Sequence, residues 1–317
     1  FFMKVSIRIA LPINGLIKAT VYKQFCGGTT IKSSQKTIEK LWQSKIGTIL
    51  DFSAEGMESE KDLNRAKNEI IATITKAKAE RSIPFAVFKP TAVASFQLLE
   101  KISVKSELNI AEKKTKEDLE NRIKEICEAA YNNKVPLFID AEESWIQKAI
   151  DEIVLKMMRK FNKEKAFIFN TLQMYRNDRL DYLKEIYSDA QNNNYYMGLK
   201  LVRGAYHKQE IERAQQLDYN CPVYTRKEDT DKDYNLAQKF CVEHLDRISF
   251  CSGTHNEESS EYLIDLFNKY NIDKNDERII FSQLLGMSDH VSYNLAKKGY
   301  NIAKYVPYGP VKDVMPY

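Results

Sequence analysis

The sequence predicts an α/β fold in which eight strand and helix repeats close into a (β/α)8 barrel. Eight short apolar runs recur along the 317 residues, and long amphipathic segments with a charged face separate them. Near-continuous apolar runs are typical of parallel strands covered on both faces. A doubly wound sheet would explain these two observations as well. The barrel is favoured because chemically active side chains follow most of the runs rather than one switch point.

The predicted strands are 47–51, 85–89, 136–140, 166–170, 198–203, 248–251, 279–282 and 301–305. Helical spacing with a charged outer face is clear at 64–80, 115–133 and 257–269. We predict an N-terminal helical segment at 1–44 and one catalytic barrel at 45–317. Residues 103–116 are extra material between the second and third strands, where we expect an added helical excursion.

The composition narrows the class of protein. The chain is 43% hydrophobic and 29% charged with a net charge of +4, and its cationic and anionic residues are interleaved. This pattern gives no electrostatic footprint for nucleic acid. Five scattered cysteines without a CxxC pair argue against a disulfide framework, and four unpaired histidines argue against a metal site. The GxGxxG, P-loop and GxSxG motifs are absent, and no apolar run is long enough to cross a bilayer.

The segment 199–206 is the most informative local feature. The apolar run predicts a buried strand that carries Lys200 and ends near Arg203. The two small residues Gly204 and Ala205 follow at the same edge of the predicted sheet. Cations at a strand end, followed by small residues that let a ligand approach the backbone, suit an anionic or electron-accepting cofactor.

Other predicted strand ends carry polar groups too: Asp51, Lys89, Asp140, Glu142, Glu143, Gln173, Thr254, His255, Asn256, Gln283, Tyr305 and Tyr308. In a parallel barrel these side chains would converge on the C-terminal mouth. Asp140 has a second interpretation, as the N-cap of the helix that follows it.

Seven motifs occur in the order found in one known family: 138–143 (FIDAEE), 171–175 (TLQMY), 200–206 (KLVRGAY), 222–227 (PVYTRK), 253–256 (GTHN), 283–287 (QLLGM) and 305–310 (YVPYGP). Together they resemble the proline dehydrogenases, most closely the stand-alone and mitochondrial-type members. The resemblance implies a distorted (β/α)8 barrel of the TIM type that binds FAD non-covalently. It also implies oxidation of L-proline to Δ1-pyrroline-5-carboxylate by hydride transfer to flavin N5, as the first step of proline catabolism. The electrons would then pass to a membrane quinone.

The same resemblance implies roles for individual residues. Asp140 and Lys200 would be catalytic, with Lys200 near flavin N5, where many relatives have Arg. Lys89 would bind the substrate carboxylate, Tyr305 would pack on the proline ring, and Leu285 or Leu284 would add an apolar wall. The implied FAD contacts are Ala141, Gln173, Lys200, Arg203, Gly204, Ala205, Tyr206, Lys227, Thr254, His255 and Asn256. No metal ligand is implied.

The two ends of the chain carry further expectations. The family has a final helix with two adjacent arginines that grip the substrate carboxylate. That helix would follow Tyr317, so we expect the sequence to be truncated before it, and position 1 is not an initiator Met. We interpret the stretch 11–18 as a helix across the base of the barrel, with an interfacial membrane element as the alternative. The expected location is the bacterial cytoplasm with peripheral contact to the inner membrane, or the mitochondrial inner membrane in a eukaryote.

Three other functions remain open at this point. A flavin-dependent dehydrogenase of hydroxyproline or another cyclic amine would use the same frame. A non-catalytic barrel that serves as an interaction protein would have lost the cationic and amide side chains at the mouth, yet Lys89, Gln173, Lys200 and Arg203 are present. A metal-dependent hydrolase would bind no flavin. The preference between proline and hydroxyproline, the electron acceptor and the oligomeric state are left undecided.

Overall fold

Eight parallel strands form a closed barrel in the computed structural model, which describes residues 22–53 and 57–310. The strands are β1 (Gly47–Phe52), β2 (Phe85–Phe88), β3 (Leu137–Ile139), β4 (Ile168–Gln173), β5 (Met197–Val202), β6 (Ile248–Gly253), β7 (Ile279–Leu284) and β8 (Ile302–Tyr308). Each pairs with the next along the chain, and β1 closes the ring by pairing with β8. The predicted barrel and its eight strands are therefore confirmed.

Successive side chains of each strand point alternately into the barrel interior and outward to the surrounding helices. Ile49, Phe85, Phe138, Phe169 and Tyr305 share one buried cluster inside the ring. The rings of Phe85 and Phe138 stack with centroids 4.4 Å apart. Neighbouring strand residues face outward into a second, larger cluster that the helices complete. This double coverage explains why the strands have apolar sequences throughout.

The helices around the barrel are α1 (Lys23–Phe25), α2 (Gln35–Gln43), α3 (Glu60–Ala79), α4 (Phe96–Ser103), α5 (Ile110–Asn133), α6 (Ser144–Phe161), α7 (Arg179–Asn192), α8 (His207–Leu217), α9 (Lys227–Glu243), α10 (Glu257–Lys269) and α11 (Asp289–Lys297). Local sequence explains where several begin. Ser59 caps α3, Asn109 forms a capping box with Glu112 at the start of α5, and Asn256 caps α10.

Three predictions made along the chain need correction. The extra helix between β2 and β3 is α4, which precedes the predicted excursion at 103–116, because Ser95 caps a helix there. β4 (Ile168–Gln173) begins two residues after the predicted start at 166 and ends three residues after the predicted end at 170, so it includes Gln173. Asp140 is not a helix N-cap, because α6 begins at Ser144 and its N-cap is Glu143. Asp140 is left in the short connection after β3, where its side chain can face the mouth.

The N-terminal segment joins the barrel at the C-terminal mouth. Gly28 forms a parallel bridge to Tyr308, and the Gly27 amide donates to the Pro307 carbonyl at 2.9 Å. The Tyr22 hydroxyl donates to the carbonyl oxygens of Gly28 and Gly309 at 2.6 and 2.8 Å. This part of the predicted segment 1–44 therefore borders the mouth. The stretch 11–18 and the residues after 310 lie outside the described residues.

Candidate active site

A large cavity opens at the C-terminal mouth of the barrel. Its volume is about 1000 Å³, at the upper end of the range for small-molecule sites. The residues to which the family resemblance assigns a role all line it: Lys89, Asp140, Ala141, Gln173, Lys200, Arg203, Gly204, Ala205, Tyr206, Lys227, Thr254, His255, Asn256, Leu285 and Tyr305. They come from the ends of several strands and are spread from Lys89 to Tyr305 in sequence, and the closure of the barrel brings them together.

The inner end of the cavity holds a buried cluster of three polar side chains, Asp140, Lys200 and Tyr305. The Lys200 ammonium donates to an Asp140 carboxylate oxygen at 2.5 Å and to the Tyr305 hydroxyl at 2.7 Å. The Tyr305 hydroxyl donates in turn to the same Asp140 oxygen at 3.1 Å. Lys200 also lies over the Tyr305 ring, 4.4 Å from its centroid. Each member thus contacts the other two.

Burial determines the protonation of the phenol in this inner cluster. Burial, and secondarily the negative charge of Asp140, raise the pKa of Tyr305 well above its usual value. The hydroxyl therefore stays protonated at neutral pH and acts as a hydrogen-bond donor. Lys200 supplies the positive charge that balances Asp140, so the cluster carries no net charge while it is paired.

Gln173 is held in place by two backbone groups from neighbouring connections. Its amide nitrogen donates to the Glu142 carbonyl at 2.7 Å, and its amide oxygen accepts from the Ala205 amide at 2.9 Å. These bonds join the connection after β3 to the turn after β5. They fix the orientation of the side-chain amide and leave its second N–H for a ligand.

Glu142 is a buried carboxyl whose partners sequence reasoning missed. Its two oxygens accept from the Thr91 amide at 2.9 Å and from the Thr91 hydroxyl at 2.5 Å. Burial raises the pKa of Glu142 to about 8, against the opposing effects of Thr91 and the nearby Lys89 charge. Glu142 therefore ties the connection after β3 to the turn that follows Lys89.

The outer end of the cavity holds a second, less buried cluster formed by Arg203, Lys227, Asp231, Thr254 and Ser259. Arg203 donates to Asp231 at 2.6 and 3.1 Å, to the Thr254 hydroxyl at 2.8 Å and to the Ser259 hydroxyl at 3.0 Å. Lys227 pairs with the other oxygen of Asp231. Burial alone would raise the pKa of Asp231, but the bonds from Lys227 and Arg203 lower it. Two cations and one carboxylate leave this end positive.

Helix N-termini add to the positive potential at the outer end. Tyr206 and Arg226 are the N-cap residues of α8 and α9, and neither side chain makes a capping hydrogen bond. Tyr206 and Lys227 line the cavity, as does Asn256 at the start of α10. Unused amides at helix starts bind phosphate groups. The residues present therefore fit a ligand that carries a phosphate or diphosphate group.

Gly204 is required by the protein's own packing. Its φ is +149°, and a Cβ built on it would lie 2.4 Å from the ring of Tyr175. The sequence argument assigned this glycine to close approach of a ligand. Gly204 does line the cavity, but the space that a side chain would need is filled by Tyr175.

Some strand-end residues do not face the cavity. Tyr308 lies three residues after Tyr305, on the opposite face of β8, and its hydroxyl donates to Glu69 on α3 at 3.0 Å. Glu142 and Glu143 are also absent from the lining. The expectation that all of these side chains converge was wrong for these three. The cavity wall includes residues to which sequence reasoning gave no role, such as Phe25 and Cys26 from the N-terminal segment. Met287, the last residue of the motif 283–287, also lines it.

Residues 22–53 and 57–310 contain no group of three or more His, Cys, Asp or Glu side chains that could hold a metal ion. In the same ranges, no helix combines the length and apolar character that a membrane span requires. The cysteines there are free thiols, and Cys251 lies inside the barrel beside Ser282.

Comparison with known proteins gives a consistent result. A sequence model of the family described as proline dehydrogenase matches residues 34–317. The chain is 33% identical to proline dehydrogenase 1, mitochondrial, of Dictyostelium discoideum, over 98% of this chain and 62% of that protein. It is 32% identical to the carbapenem antibiotics biosynthesis protein CarD of Pectobacterium carotovorum subsp. carotovorum, over 96% of this chain and 78% of that protein. The chain thus spans less than two thirds of the Dictyostelium relative.

The fold matches solved structures as well. The crystal structure of proline utilization A from Bdellovibrio bacteriovorus inactivated by N-propargylglycine superposes with a TM-score of 0.84. The match covers 96% of this chain and 33% of the other, at 23% identity. At this level of identity the likeness establishes the barrel fold.

Proposed function

The chain belongs to the proline dehydrogenase family, and from this premise we propose that it oxidises L-proline to Δ1-pyrroline-5-carboxylate with FAD as a non-covalent cofactor. In this reaction the ring carbon beside the nitrogen loses a hydride and the nitrogen loses a proton, which leaves a carbon–nitrogen double bond. The observation that carries the proposal is that the residues to which the resemblance assigns a role all line one cavity.

The inner end of the cavity suits a small amino acid with a saturated ring. Lys89 is half-buried in the wall and offers a cation to the substrate carboxylate. Tyr305 and Leu285 offer apolar surface to the ring, and the Leu285 amide donates to the Tyr305 carbonyl at 2.8 Å. Because Tyr305 and Leu285 are held in place, they can keep the reacting carbon of the substrate in one orientation, which favours catalysis.

The cluster of Asp140, Lys200 and Tyr305 would also orient the reacting groups and supply positive charge. Because the Tyr305 hydroxyl keeps its proton, the phenol orients its neighbours and does not accept a proton from the substrate nitrogen. Lys200 would hold a positive charge beside the flavin ring system, where it would stabilise the negative charge of the reduced cofactor. A lysine supplies this charge with less directional geometry than the arginine of many relatives.

When bound, FAD supplies the acceptor for the hydride. We propose that Gln173, Lys200 and Ala205 contact its ring system. The outer cluster and the starts of α8, α9 and α10 would hold its diphosphate and ribose through Arg203, Gly204, Tyr206, Lys227, Thr254, His255 and Asn256. Support comes from the net positive charge of the outer cluster and the N-cap residues without capping bonds.

A membrane quinone is the proposed electron acceptor, with peripheral contact between protein and membrane. Several relatives carry mitochondrial names, which supports an inner-membrane location in a eukaryote. The CarD relative is bacterial, and in a bacterium the cytoplasmic face of the inner membrane is the equivalent place. Reduction of a short-chain quinone by the proline-reduced protein, compared with oxygen alone, tests the acceptor.

The defining experiment is the visible spectrum of the purified protein before and after anaerobic addition of L-proline. We expect a flavin spectrum that bleaches with proline. A protein that stays colourless after incubation with FAD would contradict the proposal. The similarity to CarD favours a second candidate, oxidation of a related cyclic amine in biosynthesis. A flavin that ignores proline and bleaches with hydroxyproline or another cyclic amine would support that candidate.

A further inference from the structure

Lys304 is a completely buried lysine that the proposed function does not use. It lies on β8 between Ala303 and Tyr305, whose side chains belong to the cluster inside the barrel, so its own side chain points outward. Its exposed fraction is 0%. Burial lowers the pKa of its ammonium, and the carboxylate of Asp289 opposes that shift. A buried cation of this kind persists only where its hydrogen bonds are satisfied.

All the partners of Lys304 belong to the loop between β7 and α11 and its immediate ends. The ammonium donates to the carbonyls of Leu284 at 3.2 Å and Met287 at 2.5 Å, and it pairs with Asp289 at 2.8 Å. Three donors therefore meet three acceptors, which uses the full capacity of the ammonium. The side chain of Lys304 and the Leu285 amide both attach the loop to β8.

The backbone of this loop adopts a conformation that needs such support. Gly286 and Ser288 have φ values of +75° and +49°. A non-glycine residue with positive φ is held there by its surroundings. The N-terminal segment also packs against the loop at Gly286. A Cβ built on Gly286 would lie 2.5 Å from the carbonyl oxygen of Gln24.

The loop contributes to both ends of the cavity. Leu284, Leu285 and Met287 line it, and Leu285 belongs to the proposed substrate wall. The hydroxyl of Ser288 lies 3.1 Å from Nδ1 of His255, which is a proposed FAD contact. A shift of the loop would therefore move a substrate contact and a cofactor contact together.

We propose that Lys304 is a positioning residue that holds the β7–α11 loop so that Leu285 faces the substrate and Ser288 orients His255. This inference rests on the proposed function for the identity of the two ligands. The holding of the loop itself rests only on the contacts of Lys304.

The test compares Lys304→Met with Asp289→Asn and Ser288→Ala. Lys304→Met keeps the length of the side chain and removes all three hydrogen bonds. We expect faster amide hydrogen exchange at 285–289 with unchanged exchange in the other strands. We also expect KM for proline to rise about tenfold with kcat nearly unchanged, and FAD affinity to fall about tenfold, which equals about 1.4 kcal/mol.

Asp289→Asn and Ser288→Ala separate the anchoring of the loop from the contact to His255. Asp289 is 57% exposed as a side chain, so Asp289→Asn should change each readout less than about threefold. Ser288→Ala should weaken FAD binding and leave KM for proline unchanged, because only the contact to His255 is lost. Normal loop exchange, KM and FAD affinity in Lys304→Met would overturn the proposal.

A second loop variant keeps the proposal testable if Lys304→Met fails to fold. Gly286→Ala should displace the loop without touching Lys304, because its φ is strained and its Cβ would collide with Gln24. We expect it to reproduce the raised KM and the weaker FAD binding, and a wild-type result would overturn the proposal. If the wild-type protein binds FAD but does not oxidise proline, the proposed function fails, while loop exchange and FAD affinity still decide the role of Lys304.

Discussion

Both ends of the cavity contain a carboxylate paired with cations, but the two groups differ in their exposure to solvent. At the inner end Lys200 and Asp140 form an ion pair whose side chains are 6% and 11% exposed. At the outer end the side chains of Arg203 and Asp231 are each 21% exposed, and that of Lys227 is 67% exposed. Each end pairs one carboxylate with cations, but the inner pair is withdrawn from water and the outer cluster is not.

This difference in burial changes what each cluster can do. A buried pair is expensive to break, because removal of one partner leaves an uncompensated charge in a medium that solvates it poorly. It therefore gives a rigid and nearly neutral floor for a small substrate. The outer cluster is screened by water and keeps an excess positive charge, which suits an anionic group that binds and leaves. The predictions below test this contrast, from the largest expected effect to the smallest.

Asp140→Asn should lower the free energy of unfolding by about 3–5 kcal/mol, because Lys200 remains buried without its counter-charge. The matched change at the outer end, Asp231→Asn, should lower it by only about 1 kcal/mol. Urea unfolding of both variants at neutral pH measures the two values. Equal losses would mean that the two ends do not differ in their effective dielectric environment.

Glu142→Gln should remove a pH dependence of stability that belongs to the inner end. The folded pKa of Glu142 is raised to about 8, so the folded state binds its proton more tightly than the unfolded state. The stabilisation by this group is complete at acid pH, below its unfolded pKa, and is lost as pH rises towards 8. The slope has an upper limit of about 1.4 kcal/mol per pH unit.

Glutamine keeps the Thr91 contacts and cannot ionise, so the variant should lose less stability than the wild-type protein between pH 6 and 8. Urea unfolding at several pH values measures the two slopes. Identical slopes would show that Glu142 does not titrate in this range.

Tyr305→Phe should lower the free energy of unfolding by about 1 kcal/mol, since one hydroxyl bonded to Lys200 and Asp140 is lost while the ring remains. It should also slow reduction of the flavin by proline. Tyr308→Phe is the control on the outer face of the same strand, where the hydroxyl contacts Glu69. Stopped-flow reduction should be unchanged in the control, and an equal slowing in both variants would argue against a specific role for Tyr305.

Lys227→Ala should produce the smallest change in stability, less than about 0.5 kcal/mol, because its side chain is mostly exposed. Its effect should instead appear in FAD affinity, which should weaken and become less sensitive to salt. Fluorescence titration with FAD at low and high ionic strength measures both. An unchanged affinity would remove Lys227 from the cofactor site.

Much of the fold could be predicted from sequence because parallel strands buried on both faces leave a strong signal. The runs at β1 to β8 are apolar and separated by amphipathic helices, and all eight were identified. α4 was missed because its eight residues lie next to β2 and carry no long periodic pattern. The side on which Tyr308 lies was available from alternation along β8 but was not used.

The candidate site was partly predictable for a related reason. Lys89, Gln173 and Lys200 stand at strand ends, and any parallel barrel brings strand ends to one mouth. The partners of Glu142 could not be predicted, because Thr91 is 51 positions away and the contact depends on how two connections pack. The same holds for Lys304, whose sequence signal is only a cation within an apolar strand.

The sequence by itself determined the eight strands and the polar side chains that follow them, because periodicity follows from local hydrophobic pattern. Closure into a barrel rather than a doubly wound sheet was decided by the tertiary structure. Tertiary structure alone decided which of these side chains pair with one another. It buried Lys200 against Asp140 and Tyr305, left Lys227 in water, and turned Lys304 towards the loop after β7. The reason is physical: the pKa and the energy of a charged group depend on its desolvation and its nearest partners, which exist only once distant segments have packed.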